Sequence, residues 1–392
     1  VKPPQSPQPR IFRHFMQKYP PPAFETLTSF ENLKARIAGP DLVRTVAILD
    51  VLICHDGSLF CAWWHHSLPF HLAVLGFYGV MLFFVLSGFL IGTIMLDLLE
   101  RGPPLKGWGI FLVRRWLRTL PAYYFWLFAL LIPLAYFGPY GVPWDEARHA
   151  LPWFLTLTQN LGWPMVSNWY GVTWSLCVEE WFYIAFPALL LTLLTCRIKP
   201  ALAFGTTLAA FFIVPLCWRL SLPTDVNWDE VTSKIVPCRF DSIAWGIAAA
   251  WLYRCKPAIT RYSTILAALG SAIVLTVWWR NTGDNALWPP HFGAMASFDV
   301  TGLGYALCMP AMMRLRSLPP LIGPAVRSIS THSYALYLCH LPLALAAGDL
   351  QARYGLGRGH ALILTILTTI GGAIISWRFV ERPCLKLRPR QG

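Results

Sequence analysis

Several ionisable side chains of this sequence sit in or beside apolar segments, where charge is costly and usually has a task. The first such segment, GPDLVRTVAILDVLICHDG, holds Arg44 and His55, eleven residues apart. At about 100° and 1.5 Å per residue, eleven steps return nearly to one face and separate the two by about 16 Å along a helix. A single helix would thus carry a cation near one end and an imidazole deep along the same stripe. Neutral imidazole has an ordinary pKa near 6.5, suited to taking a proton at neutral pH. Asp50 lies about 140° around from His55, so it pairs with another helix or faces a wet cavity.

A second cluster is FLVRRWLRTLPAYY, with Arg114, Arg115 and Arg118. Arg115 and Arg118 share a helical face. Three guanidinium forks at a membrane surface suit phosphate oxygens, although topology and anionic lipid heads would also explain them. A third stretch, NWYGVTWSLCVEEWFYIAFPALL, places Glu179 and Glu180 side by side in an apolar run. They point about 100° apart, and Glu179 is taken as the inward carboxylate. A buried carboxylate needs an arginine, a histidine or a proton. In ISTHSYALYLCHLPL, Ser333, Tyr337 and His340 form one stripe, a spacing shared with ordinary interhelical glue. The pair Ser87-Gly88 removes bulk from the middle of GVMLFFVLSGFLIGTIML, where a helix or a slender ligand arm can approach.

The elements that must position these groups are membrane helices. Of 392 residues, 56% are hydrophobic and only 13% charged, against about 25% charged in a soluble domain. The fold class is all-α, a polytopic integral membrane protein of about ten transmembrane helices. The apolar runs lie near 41–57, 73–96, 119–137, 173–195, 200–218, 237–253, 262–279, 297–313, 329–347 and 360–380, with 151–161 as an external or re-entrant helix. Residues 1–40 form a polar, Pro-rich cytoplasmic tail, helical near 30–37. Residues 41–383 form the transmembrane domain, and 384–392 a basic cytoplasmic tail. The net charge of +13 does not indicate nucleic acid. Counting Arg44 and Arg378 at the span ends, 25 of the 32 Lys and Arg residues fall on the side of the termini and 7 on the other. The positive-inside rule therefore puts both termini in the cytoplasm. The ten cysteines show no metal-ligand spacing and no disulfide framework, so no metal is expected.

In chain order, RTVAILDVLICH, GVMLFFVLSGFLI, RRWLRTLPAYY, TWSLCVEEWFY, RFDSIAWGIAAA, SYALYLCH and FVERP make a specific set. Over 41–383 the sequence resembles the membrane-bound acyltransferase-3 family of sugar and glycan O-acyltransferases. That resemblance implies an enzyme that uses acyl-CoA, most commonly acetyl-CoA, as co-substrate, in a bacterial inner (cytoplasmic) membrane. The family's essential histidine falls on His55 and its first-span arginine on Arg44. Its FFVLSG motif falls on Phe83, Phe84, Ser87 and Gly88, its RRxxR on Arg114, Arg115 and Arg118, and its WSLxxE on Trp174, Ser175, Leu176 and Glu179. Some relatives carry an additional SGNH hydrolase-like domain, and a standalone member is expected here. Where the family often has Asp, this chain has Met81, so a carboxylate function there is either absent or supplied elsewhere, as by Asp50.

The expected reaction is acyl transfer to a hydroxyl of a carbohydrate or glycan acceptor. His55 serves as general base or as a transient acyl carrier, with Glu179 or Asp50 fixing its tautomer. Arg44, Arg114, Arg115, Arg118 and Ser87 bind the donor; Trp174, Tyr337 and His340 face the acceptor. The tryptophans Trp63, Trp64, Trp144, Trp153, Trp163 and Trp169 fall in external segments, as a sugar-stacking surface or an interfacial belt. Homo-oligomerisation is compatible with this reading. A proton-coupled secondary transporter or flippase is the alternative of another class, and a non-catalytic lipid-binding protein a third. Transporters commonly repeat their halves, and no such repeat is present.

Overall fold

A computed structural model describes residues 37–101, 104–137, 143–223, 229–282 and 290–389. The N-terminal tail up to residue 36, with the helix expected near 30–37, lies outside the described residues, as do 390–392. The described residues are mostly helical, with no strand among them. Its longer helices are α1 (Ala38–Trp63), α2 (Leu75–Arg101), α3 (Pro104–Trp126), α4 (Trp144–Thr156), α5 (Trp174–Thr195) and α6 (Pro200–Ser221). They continue as α7 (Phe240–Cys255), α8 (Ser263–Thr282), α9 (Pro290–Arg314), α10 (Gly323–Tyr354) and α11 (Arg358–Ser376).

Among the described residues, seven stretches are long and apolar enough to cross a membrane: Ala38–Trp63, Phe70–Glu100, Gly107–Tyr136, Gly171–Thr195, Pro200–Ser221, Pro257–Thr282 and Arg358–Lys386. The other three expected spans coincide with α7, α9 and α10. Helix α7 has 16 residues, short of the roughly 20 that a 30 Å hydrocarbon core requires. Helix α10 is long enough but carries Arg327, His332, His340, Asp349 and Arg353.

Helix α2 is the hub, packed against α1 and α7, while α10 packs on α1 and α11. Close approach at the α2–α7 crossing depends on glycine. A Cβ on Gly88 would sit 1.9 Å from the Ile243 carbonyl oxygen. The small-residue pair of the sequence is therefore a helix crossing on its Gly88 side, while Ser87 faces elsewhere. Buried charge supplies a second tie. Arg219 of α6 pairs with Asp241 of α7 at 2.6 Å and with Asp299 of α9 at 3.0 Å. The Trp245 indole donates to the second Asp299 oxygen at 3.1 Å.

Prolines inside helices leave carbonyls without their usual donors, and side chains take over. Pro342 frees the Leu338 carbonyl, which accepts from the Tyr170 hydroxyl at 3.0 Å. Pro187 frees that of Tyr183, which accepts from the Trp108 indole at 3.4 Å. The end of α4 is held in the same manner, with Tyr123 and Tyr124 of α3 donating to the carbonyls of Phe154 and Leu155 at 2.7 and 2.8 Å. Residues 157–170 then run as irregular chain. Asn160 is buried there and donates to the carbonyls of Trp174 and Lys234 at 3.0 and 2.6 Å.

Candidate active site

A cavity of about 120 Å³ opens between α1, α2, α3, α5 and α10. Six of the residues given a role in the reaction from sequence line it, Arg44, Ser87, Arg115, Arg118, Glu179 and Tyr337, together with Phe83, Phe84, Ser175, Leu176 and Ser333 of the quoted motifs. They come from five helices, so the packing of the bundle, rather than local chain, brings them together.

Arg44 contributes from the first turns of α1, where it lies 3.7 Å from Asp41. Asp41 is itself buried and accepts from the Ser330 hydroxyl at 2.7 Å. From α3, Arg115 and Arg118 face the cavity together, as their i, i+3 spacing requires. The Arg115 guanidinium lies 4.8 Å from the centre of the Tyr183 ring, within cation–π range. Arg114 points elsewhere and donates to the Pro389 carbonyl at 2.6 Å. It is not one of the cavity's cations, because one residue of helical rotation from Arg115 turns it to another face.

The two adjacent carboxylates separate by the same geometry. Glu179 lines the cavity and accepts from the Tyr183 hydroxyl at 2.9 Å. Tyr183 has one hydroxyl proton, so Ser87, 2.9 Å away, donates to it. The result is a directed chain, Ser87 to Tyr183 to Glu179. Glu180 is fully buried and accepts from the Thr119 hydroxyl at 2.8 Å.

At the other end, Tyr337 donates to the Val172 carbonyl at 2.7 Å and lies 2.6 Å from the Ser175 hydroxyl. The Tyr337 ring centre is 6.1 Å from that of His340. His55 and His340 do not line the cavity; they meet each other. His55 Nδ1 is 3.0 Å from His340 Nε2, with the rings stacked at 11° and 5.3 Å between centres. His340 Nδ1 is 3.0 Å from the Leu336 carbonyl. A carbonyl only accepts, so His340 Nδ1 carries the hydrogen and the neutral ring accepts at Nε2. His55 then donates from Nδ1, which in the neutral ring leaves the lone pair on Nε2. His340, placed by sequence on the acceptor side, is thus in position to orient His55. Asp50 sits at the α1–α2 contact, its Cβ 2.9 Å from where a Gly79 Cβ would be.

Trp174 does not line the cavity. Its ring meets Phe84 edge-on at 6.0 Å and lies 5.5 Å from the Arg239 guanidinium. The sequence reading missed Arg239. It is fully buried, 4.3 Å from the Phe298 ring centre and 5.5 Å from those of Phe77 and Phe84. Its NH2 group is 2.9 Å from the Met81 sulfur. The position at which the chain departs from the resembled pattern therefore faces an arginine. The arginine opening RFDSIAWG was the available signal. Tyr183, four residues after Glu179, was also missed, although i, i+4 spacing predicts its contact.

The aromatic loop is only partly an external surface. Trp153 and Trp163 are exposed, but Trp169 is buried against Phe154, 5.3 Å between ring centres. Trp169 is core, so the expected sugar-stacking role does not extend to it.

Residues 37–377 match a family model described as an acyltransferase domain. The chain is 26% identical over 373 residues to the peptidoglycan O-acetyltransferase OatA of Listeria monocytogenes, covering 88% of this chain and 55% of that protein. It is also 26% identical over 390 residues to the O-acetyltransferase OatA of Staphylococcus aureus, covering 89% and 57%. The chain thus spans about half the length of the curated relatives it matches. No solved structure matches it.

Proposed function

The chain belongs to the acyltransferase family whose domain it matches over residues 37–377, and from that premise we propose that it is an integral membrane O-acetyltransferase acting on a cell-wall glycan, with acetyl-CoA as donor. Peptidoglycan is the acceptor class, on the strength of the relative named a peptidoglycan O-acetyltransferase. The proposed topology has ten spans, both termini in the cytoplasm and residues 41–383 as the catalytic domain, in a bacterial inner membrane. The asymmetry of Lys and Arg supports that orientation.

The observation that carries the mechanism is the His55–His340 contact at 3.0 Å. With Nδ1 donating, the neutral form of His55 has its lone pair on Nε2, the form a general base requires. In the direct route, His55 Nε2 takes the proton of the acceptor hydroxyl as its oxygen attacks the thioester carbonyl. The carbon–sulfur bond then breaks, and the proton passes to the leaving thiolate. In the covalent route, Nε2 itself attacks, the carbon–sulfur bond breaks and the thiolate leaves, and the acceptor hydroxyl then cleaves the acetyl-imidazole, its proton ending on the thiolate as the imidazole is released. In both routes the stacked His340 steadies the charge that His55 acquires by accepting its Nδ1 hydrogen. Arg44, Arg115 and Arg118 draw the donor's anionic part toward the cavity, and the Ser87–Tyr183–Glu179 chain holds the wall beside it.

The test uses purified protein in vesicles, with acetyl-labelled acetyl-CoA on one face and a peptidoglycan fragment on the other. Label on a glycan oxygen is expected. Glycan flux with no acetyl transfer would instead support a transporter.

A further inference from the structure

A second, wider cavity of about 570 Å³ lies beside the first, between the start of α1, the 315–322 segment and the start of α10. Its ionisable lining is Asp41, Arg316, Arg327 and His332. We propose that it is the nucleotide subsite of the donor, holding the phosphates of an adenosine 3′,5′-bisphosphate-type group while the thioester arm enters the narrow cavity. This rests on the acyl-CoA reading above.

Size gives the first reason. Pockets for nucleotide-sized ligands run to about 300–1,000 Å³. The narrow cavity, at about 120 Å³, is below that range, and the wide one is within it. Charge is the second. Among the described residues no carboxylate pairs with Arg316 or Arg327. Asp41, the cavity's one carboxylate among its described lining, is engaged by Arg44 at 3.7 Å and by Ser330 at 2.7 Å. His332 donates from Nδ1 to the Ser328 carbonyl at 2.8 Å. Forked guanidinium groups left without carboxylates suit phosphate.

Continuity is the third reason. Asp41 lines the wide cavity and its neighbour Arg44 the narrow one, as do the adjacent His332 and Ser333 of α10, so α1 and α10 both pass from one cavity to the other along the partition that one ligand would span. The partition is rigidly built. The Gly39 amide donates to the Leu315 carbonyl at 3.0 Å, and a Cβ on Gly39 would lie 1.7 Å from the Met312 oxygen. The Thr45 hydroxyl donates to the Val326 carbonyl at 3.0 Å. The start of α1 is thereby fixed against both walls that carry the arginines.

The experiment compares the full chain with the Arg316→Ala/Arg327→Ala double variant in neutral-lipid nanodiscs. Binding of adenosine 3′,5′-bisphosphate is measured directly, together with kcat/KM for acetyl-CoA and for acetyl-pantetheine, which lacks the nucleotide. The double variant should bind the bisphosphate at least about tenfold more weakly, and its preference for acetyl-CoA over acetyl-pantetheine should collapse by a similar factor. Equal bisphosphate binding in both proteins, or an equal loss for both donors, would overturn the proposal. So would a variant that loses only its response to added anionic phospholipid, since the cavity would then be a headgroup site. Bisphosphate binding lost in the variant, with no acetyl transfer by the wild type, would sink the acetyltransferase reading and leave the nucleotide site standing.

Discussion

His55 and His340 are stacked at 11° with Nδ1 of one 3.0 Å from Nε2 of the other. The Leu336 carbonyl, 3.0 Å from His340 Nδ1, sets the direction of the whole chain of protons. If this relay orients the base, His340→Ala lowers kcat by at least about tenfold, part of the roughly 10²–10⁴-fold that a positioned general base supplies. KM for the donor should hold. His340→Gln, whose amide oxygen accepts from His55 Nδ1, should recover part of the loss. Steady-state kinetics beside a thermal melt separates this from a packing defect, in which kcat would follow stability in both variants.

The three arginines of the RRxxR motif are predicted to differ. Arg115→Ala and Arg118→Ala each remove a cation from the cavity wall, and each should raise KM for acetyl-CoA by about tenfold, the scale of one charge-assisted hydrogen bond. Arg114→Ala removes a side chain that lies outside the cavity lining and donates to the Pro389 carbonyl, and should leave donor KM as it is. A donor titration of the three variants checks the ranking.

Tyr183 links Ser87 to Glu179 through two contacts of 2.9 Å. Tyr183→Phe and Glu179→Gln should therefore be non-additive, since both break one chain. A double-mutant cycle on kcat/KM reads the coupling, and strict additivity would show that the chain does not act as a unit.

Much of the fold was legible in the apolar runs, because in hydrocarbon a spanning backbone must satisfy itself as helix. Several residues around the cavity were legible too: Arg44, Ser87, Arg115, Arg118, Glu179 and Tyr337 each stood out as a polar group in an apolar context. What sequence could not give is how helices turn toward one another. His55 and His340 are 285 positions apart, and their contact depends on how α1 docks against α10. Helical periodicity assigned Arg115 and Arg118 one face, yet nothing local says that Arg114 reaches the C-terminal segment. Met81 read as a missing carboxylate. In the fold it is the residue that meets Arg239, whose charge four aromatic rings surround.

Two stability predictions follow from packing. Gly88→Ala places a methyl 1.9 Å from the Ile243 oxygen and should cost about 1–3 kcal/mol through forced separation of α2 and α7. Arg219→Ala leaves the buried Asp241 without its partner at 2.6 Å and should cost about 3–5 kcal/mol. Thermal unfolding of the purified variants in detergent should rank Arg219→Ala as the less stable.

The central claim is that His55 performs the chemistry, and its rate of acetyl transfer tests this most directly. Purified wild type and His55→Ala are compared for transfer from acetyl-CoA to a peptidoglycan fragment, at equal amounts of folded protein and saturating donor. The account predicts a fall of about 10²–10⁴-fold with donor binding retained. A His55→Ala protein that transfers acetyl at the wild-type rate would contradict it.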